Sequence, residues 1–383
     1  MKELIKTVAV MALRLGMRLF HLIPIRENRV FFSAYSGHQY TCNPKYISEY
    51  LQKQYGDRLE LIWCYCNSIP ESPAGIRFVR YGSFAYYRCL LTSKAVIFND
   101  LQNCSYLPFR KKQTVIQTWH GSGLYKKVGR DVPGNTVWNN LRLSWTTKHI
   151  TYFLAGATAF TNTVIRGAFG YKGEVKEVGL PRNDILLHKE TRDEMREKVR
   201  EALGIPDDCF AVLYAPTFRG AGDHSQEELE LKQIQAAFTE RFGKECLFLV
   251  RSHHAVTDRN SRLPAGTTNV TDYPDMQELL CAADAMISDY SSCIWDFSLT
   301  GKPCFIFAAD LSAYRVDRDF YTDIFRWPFP LALSNDELVD AIRQFDENDY
   351  LKRLNEHFNE LGCCESGEAA KRIGDDIAKR CGL

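Results

Sequence analysis

The sequence predicts an α/β protein built from two parallel-sheet domains, and three observations carry that expectation. At 383 residues the chain exceeds one ordinary α/β domain and suits two, each large enough for a substantial core. Short apolar runs alternate with helical segments in two successive cycles, the pattern of parallel strands joined by crossover helices. Between the cycles lie residues 182–188, where the domain boundary is placed. The composition, 45% hydrophobic and 25% charged, belongs to a folded globular chain, and a net charge of +1 gives no electrostatic case for nucleic-acid binding.

The first element is an N-terminal amphipathic helix over residues 2–23. Leu4, Val8, Met11, Leu15, Leu19 and Leu22 share one stripe, Lys2, Lys6, Arg14 and Arg18 lie elsewhere, and Pro24 is the stop. The apolar run between charges, residues 7–13, is too short to span a bilayer, and no small-residue cleavage site follows it. One reading lays this helix in a membrane surface with its cations on anionic headgroups. The other packs it on its own domain.

After Pro24, residues 29–33 and 59–64 read as strands around a helix at 44–54, and 95–98 and 114–118 as further strands. A charged, exposed helix at 190–203 opens the second cycle, with strands at 210–214, 247–251, 285–288 and 304–309. Residues 220–230, rich in Gly, Ser, Asp and Glu, read as a mobile loop. Residues 335–380 are helical in pattern and a candidate to pack back across the domain junction. The domains are thus 1–25 (helix), 26–186 and 187–383. The thirteen cysteines have neither zinc-type nor disulfide-framework spacing, the close pairs being Cys64/Cys66 and Cys363/Cys364, so they read as reduced thiols of a cytosolic protein.

Four segments follow predicted strands at the carboxyl ends, where ligands bind in open α/β sheets. Gln117-Thr-Trp-His-Gly-Ser-Gly123, followed by Lys126-Lys127, sets His120 at a strand tip beside glycines that allow close backbone approach, and makes it a candidate general base. Tyr214-Ala-Pro-Thr-Phe-Arg219 supplies Thr217 and Arg219, and Leu249-Val-Arg-Ser-His-His254 supplies Arg251 and His253. In Ser288-Asp-Tyr-Ser-Ser292, a turn between a buried strand and a helix gathers Asp289, Ser291, Ser292 and unpaired backbone N–H groups, a site for phosphate. Each has a duller explanation: a structural histidine, a surface cation, a Ser-Ser N-cap. His38 is a further candidate that serves equally as a turn residue. Four such features at equivalent positions favour a phosphorylated ligand.

At these residues the sequence resembles the CDP-glycerol glycerophosphotransferases of wall teichoic acid and related polymers. The resemblance runs through Gly37, Asn43-Pro-Lys-Tyr46, the Trp119-His-Gly121 segment, Gly179-Leu-Pro-Arg-Asn-Asp184, Tyr214 to Arg219, Arg251-Ser-His253, and Ser288 to Ser292 with Asp296. It continues through Lys302-Pro303, Asp310, Tyr314 and Phe320-Tyr321. Ser122-Gly123 stands where many members have Thr-Pro, and Phe218 where many have Trp; these departures bear on acceptor specificity.

The resemblance implies a GT-B architecture, two Rossmann-like domains facing a cleft, held peripherally on the cytoplasmic face of the membrane. It implies His120 as base and His253 as a second catalytic histidine near the donor pyrophosphate. Thr217, Arg219, Arg251, Asp289, Ser291, Ser292 and Asp296 fall to the donor, and Gly37, Gly121 and Lys126 to the acceptor or cleft. The expected partners are CDP-glycerol, a lipid-linked saccharide or polymer acceptor and an anionic membrane surface. An acceptor hydroxyl attacks the phosphorus next to glycerol and CMP leaves.

No cofactor is expected and no metal is required, since the one Asp-x-Asp, Asp317-Arg-Asp319, lies well past a strand tip. The alternatives are a CDP-ribitol donor, a GT-B nucleotide-sugar glycosyltransferase, and a catalytically silent scaffold.

Overall fold

A computed structural model describes residues 11–70, 73–101, 106–216, 229–251, 266–317 and 319–383. The chain forms two compact units, and the main change of unit falls between Asp184 and Ile185.

The first unit is a seven-stranded parallel sheet in the order β3-β2-β1-β4-β5-β6-β7. Its strands are β1 Arg26–Ser33, β2 Glu60–Tyr65, β3 Ile76–Arg80, β4 Ser93–Phe98, β5 Thr114–Gln117, β6 Tyr152–Ala155 and β7 Glu174–Glu177. The central strands are buried on both faces, so they read as unbroken apolar runs such as Val30-Phe-Phe32 and Ala95-Val-Ile-Phe98. Charged β7, Glu-Val-Lys-Glu, closes the edge and discourages pairing with another chain. The strand order reverses between β1 and β4, which pair Ser33 with Phe98 at their carboxyl ends.

The second unit is a six-stranded parallel sheet in the order β10-β9-β8-β11-β12-β13. It contains β8 Phe210–Ala215, β9 Cys246–Val250, β10 Thr267–Asn269, β11 Ala285–Ser288, β12 Cys304–Phe307 and β13 Leu331–Ala332. Its order reverses between β8 and β11, so each unit has its own switch point.

The domain expectation needs two corrections. Residues 187–383 do not form one domain: Cys364–Leu383 belong to the first unit, and Gly123–Lys127 to the second. The helix Ala369–Arg380 packs Ile373, Ile377 and Ala378 into the core shared by Phe32, Trp63 and the helix Cys42–Tyr55. Tyr50 and Tyr55 both donate to Asp375 Oδ1 (2.8 and 2.9 Å), and Tyr152 donates to Asp376 Oδ2 (2.9 Å). The amphipathic pattern announced a buried face; which core receives it is a tertiary matter.

The N-terminal helix is seen over residues 11–17, continuing as a 3₁₀ turn at Arg18–Leu22, while residues 1–10 lie outside the described ones. One face packs on its own unit. Met17 is buried, Arg14 Nη2 lies 2.5 Å from His149 Nε2, and the His21 ring donates to the Pro108 carbonyl at 2.6 Å. The apolar stripe points outward, Met11, Leu15, Leu19 and Leu22 being 56, 65, 70 and 84% exposed. Arg14, expected among cations facing headgroups, is instead turned onto its own unit. Burial first, then the Arg14 charge, pushes His149 down to about 4, so the ring is neutral and accepts from the guanidinium.

Candidate functional site

In the first unit the site grows from the loops after β1, β4 and β5. His120 follows β5, and its Nδ1 lies 2.8 Å from the carbonyl of Asn99 after β4. A carbonyl only accepts, so Nδ1 carries the proton and Nε2 keeps its lone pair, the tautomer a general base needs. Trp119 stacks on the imidazole with ring centroids 4.2 Å apart, and Tyr35 lies 5.6 Å away.

Trp119 takes a left-handed φ of 51°, a conformation costing a bulky residue about 1–3 kcal/mol. Surrounding bonds hold it there. Its N–H donates to Gln117 Oε1 (2.9 Å) and its carbonyl accepts from Asn43 Nδ2 (3.0 Å). Asn43 is fully buried; it also reaches the Thr118 carbonyl and accepts from the Arg182 N–H at 3.1 Å. The Asn43-Pro-Lys-Tyr46 and Gly179 to Asp184 motifs are therefore the clamp on the histidine loop. Glu365 closes the chain of contacts, accepting from Leu180 N (2.8 Å) and Asn183 Nδ2 (3.0 Å).

Gly37 lies after β1 with φ +87°, and a Cβ there would meet Cys64 Sγ at 3.0 Å, so this turn needs glycine. Tyr35 and Ser36 before it are left-handed too, at φ 46° and 57°. Tyr35 N donates to Asn99 Oδ1 (2.7 Å), Ser36 Oγ to Asp100 Oδ2 (3.0 Å), and Gln117 Nε2 to the Asp100 carbonyl (2.8 Å). Gly121, next in the chain after His120, is buried. The sequence reading passed over Asn99 and Asp100, although they sit at a strand tip like the four segments it chose. It also grouped Lys126 with this loop; Lys126 belongs to the second unit, paired with Phe320 in a short antiparallel bridge. There Lys127 Nζ contacts Asp319 Oδ2 at 2.5 Å, a bond that holds the Asp319 carboxyl below its usual range.

In the second unit, Thr217, Arg219 and His253 lie outside the described residues, as do residues 220–228 of the expected loop. Arg251 is half-buried just past β9, its N–H donating to the Tyr214 carbonyl at 2.9 Å. The Asp289–Ser292 turn follows β11 at the switch point. Ser288 Oγ ties it to the Ala215 carbonyl (2.6 Å), and Asp289 Oδ1 accepts from Tyr290 N (2.5 Å).

Tyr290 is buried; its hydroxyl donates to Asp310 Oδ1 (2.9 Å) and its ring stacks on Tyr314 at 3.8 Å and meets Phe320 at 5.4 Å. The downstream motif residues are thus the buttress of the turn. Ser291 Oγ accepts from the Cys293 thiol at 3.0 Å, which burial pushes up to about 11. Ser292 heads the short helix Cys293–Ser298 without making a side-chain cap, so the N-cap explanation does not account for it. Asp296, assigned to the donor from sequence, is 2% exposed and accepts from Gln277 Nε2 at 2.9 Å. Among the described residues no group of three or more His, Cys, Asp or Glu has the geometry to hold a metal ion.

Two Rossmann-like units, each with polar groups at its own switch point, define a GT-B-type transferase. A model of the CDP-glycerol:poly(glycerophosphate) glycerophosphotransferase family matches residues 15–379, and the chain belongs to that family. It is a CDP-glycerol glycerophosphotransferase.

The chain is 27% identical over 375 residues to the teichoic acid poly(glycerol phosphate) polymerase of Bacillus spizizenii, covering 94% of each chain. It is likewise 27% identical to the teichoic acid glycerol-phosphate transferase of Staphylococcus aureus, over 99% of this chain and 100% of that one. Among solved structures, the wall teichoic acid polymerase TagF, as a histidine-to-asparagine variant soaked with CDPG, superposes with a TM-score of 0.83. That match has 26% identity and covers 100% of this chain and 98% of the other.

Proposed function

We propose that the chain transfers glycerol phosphate from CDP-glycerol to a hydroxyl of a lipid-linked saccharide or polymer acceptor in the synthesis of teichoic acid or a related polymer. His120 Nε2 takes the acceptor proton; the acceptor oxygen bonds to the phosphorus that carries glycerol; the bond from that phosphorus to the bridging oxygen breaks, and CMP leaves with the electron pair. Arg251, Ser291 and Ser292 hold the donor pyrophosphate, together with Thr217, Arg219 and His253, and Asp289 and Asp296 complete the donor site. Charge neutralisation falls to side chains, so turnover is expected to survive a metal chelator.

The observation that carries the proposal is the 2.8 Å contact from His120 Nδ1 to the Asn99 carbonyl, which leaves Nε2 as acceptor. The expected site of action is the cytoplasmic face of the membrane, supported by the outward stripe Met11, Leu15, Leu19 and Leu22; no helix among the described residues is long and apolar enough to cross a bilayer.

The test is His120→Ala with CDP-glycerol and lipid-linked acceptors ending in a disaccharide or in glycerol phosphate. CMP release is expected to vanish while donor binding by calorimetry stays within about twofold of wild type, as expected for a group acting on the acceptor. Loss of donor binding would place the base elsewhere. A single added unit identifies a primase and a ladder a polymerase, and CDP-ribitol in place of CDP-glycerol reads donor choice.

A further inference from the structure

The loops at the first unit's switch point carry a carboxylate as well as the imidazole. β1 and β4 are neighbours, and the turn after one is tied to the turn after the other by the bond from Ser36 Oγ to Asp100 Oδ2 at 3.0 Å. Crevices at such reversals receive ligands. Asp100 and Ser36 are half-buried, within reach of a solute, and so is His120. Consecutive residues after β4 link the groups: Asn99 holds the His120 ring, and Asp100 holds Ser36. Tyr35, 5.6 Å from the imidazole, adds an apolar wall.

The charge here selects the ligand. A carboxylate repels a phosphate and accepts from hydroxyl groups, whereas a serine hydroxyl both donates and accepts. The second unit's switch point adds a cation, with Arg251 at the end of strand β9, as well as the serine hydroxyls and the Asp289 carboxylate of the turn after β11. Backbone geometry agrees that the turn is specialised. Tyr35 and Ser36 are both left-handed without being glycine, and the bonds to Asn99 and Asp100 hold them so.

We propose that Asp100, with Ser36, is the acceptor-recognition site of the transferase and binds a vicinal pair of hydroxyls, placing one on His120 Nε2 while its neighbour donates to the Asp100 carboxylate. The proposal rests on the reading of His120 as the base. A glycerol end and a sugar ring both offer such a pair. Asp100 is a binding and specificity residue; the proton still goes to His120, and no bond to Asp100 is made or broken.

The test compares wild type, Asp100→Asn and Ser36→Ala on four acceptors. Two end in glycerol phosphate or in its analogue built on 1,3-propanediol phosphate, which lacks the neighbouring hydroxyl. The other two end in a disaccharide or its deoxy analogue at the hydroxyl beside the acceptor position. Wild type is expected to prefer the intact member of the pair it uses by about 10-fold to 100-fold in kcat/KM, the worth of one hydrogen bond to a charged group. Asp100→Asn is expected to lose that preference to within about twofold, with an unchanged KM for CDP-glycerol, and Ser36→Ala to show a smaller loss in the same direction.

The pair that shows discrimination tells a polyol end from a sugar end. If wild type does not discriminate in either pair, or if Asp100→Asn keeps the preference, the site is wrong and the base can still stand. If His120→Ala releases CMP at the wild-type rate, the underlying reading fails and the site with it.

Discussion

Replacing Asn43 by alanine tests whether the motif clamp aims the base. The side chain is fully buried and makes three hydrogen bonds, from Nδ2 to the Trp119 and Thr118 carbonyls (3.0 and 3.4 Å) and to Oδ1 from Arg182 N (3.1 Å). Truncation leaves the Arg182 N–H and the Trp119 carbonyl without these partners. At about 1–3 kcal/mol for the buried Arg182 N–H left unmet, and about 1 kcal/mol for the bond lost at the Trp119 carbonyl, which keeps Thr118 Oγ1 at 3.1 Å, the loss of stability is on the order of 2–4 kcal/mol.

Part of that loss falls on Trp119, whose left-handed φ stores about 1–3 kcal/mol that the Asn43 bond helps to hold. Relaxation of that strain turns the adjacent imidazole. At about 1.4 kcal/mol per decade, the population of correctly aimed His120 then falls by about 10-fold to 100-fold. The assay is initial-rate CMP release at saturating substrates, well below the variant's melting temperature, beside a melting curve. The expected result is a kcat lowered by that factor with the KM for CDP-glycerol unchanged. Asn43→Asp, which keeps the acceptor for Arg182 N and loses the donor to Trp119, should lose kcat likewise. A variant that melts earlier but retains kcat within about twofold would refute the reasoning, because Asn43 would then support the fold and not the aim of the base.

Glu365→Gln should lower kcat less than Asn43→Ala, since an amide keeps one acceptor for Leu180 N or Asn183 Nδ2; the double variant should be less than additive, read from a double-mutant cycle. Leu15→Glu and Leu19→Glu, on side chains 65 and 70% exposed, should each weaken sedimentation with anionic vesicles by about tenfold or more while leaving the melting temperature unchanged. Burial holds His357 down at about 4, so between about pH 6.5 and 4 the unfolded chain binds a proton that the folded chain does not. Its stabilising share is whole above about pH 6.5 and is lost as the pH falls toward about 4, on the order of 3 kcal/mol. Urea unfolding at about pH 7.5 and about pH 4.5 should show a smaller pH-dependent loss in His357→Gln than in wild type.

The buried strands were legible because a parallel strand covered on both faces has nothing but apolar side chains, as in β4, β8 and β11. The strands passed over are short or charged: β3, with Arg77 and Arg80, β6 and β7, the three-residue β10, and β13, which has only Leu331 and Ala332. The strand-tip rule found His120, Arg251 and the Asp289–Ser292 turn. It missed Asn99 and Asp100 because an Asn-Asp pair after a strand reads as turn chemistry. What holds the base was less legible still. The clamp draws on Asn43, Gln117 and Arg182, and Glu365 backs the turn that carries Arg182 from almost the other end of the chain. No periodicity or local spacing links such distant positions; the sheet order and the return of Cys364–Leu383 bring them together.

The two switch points solve different positioning problems by different means. Among the described residues five non-glycines have positive φ, and four of them, Tyr35, Ser36, Cys42 and Trp119, are in the loops around His120 or at the start of the helix that carries Asn43. A base must present one lone pair along one direction, so its loop is bent into costly conformations and held by directed bonds from several elements. The Asp289–Ser292 turn has no such residue. It is supported from behind by the Tyr290, Tyr314 and Phe320 rings, a packing device that tolerates small shifts. A pyrophosphate, whose charge is spread over several oxygens, can be held by a site with that latitude. Conservative substitutions should therefore be felt more sharply in the first unit's loops than in the second unit's turn. Kinetically the two would also differ, as lost kcat in the first and raised donor KM in the second.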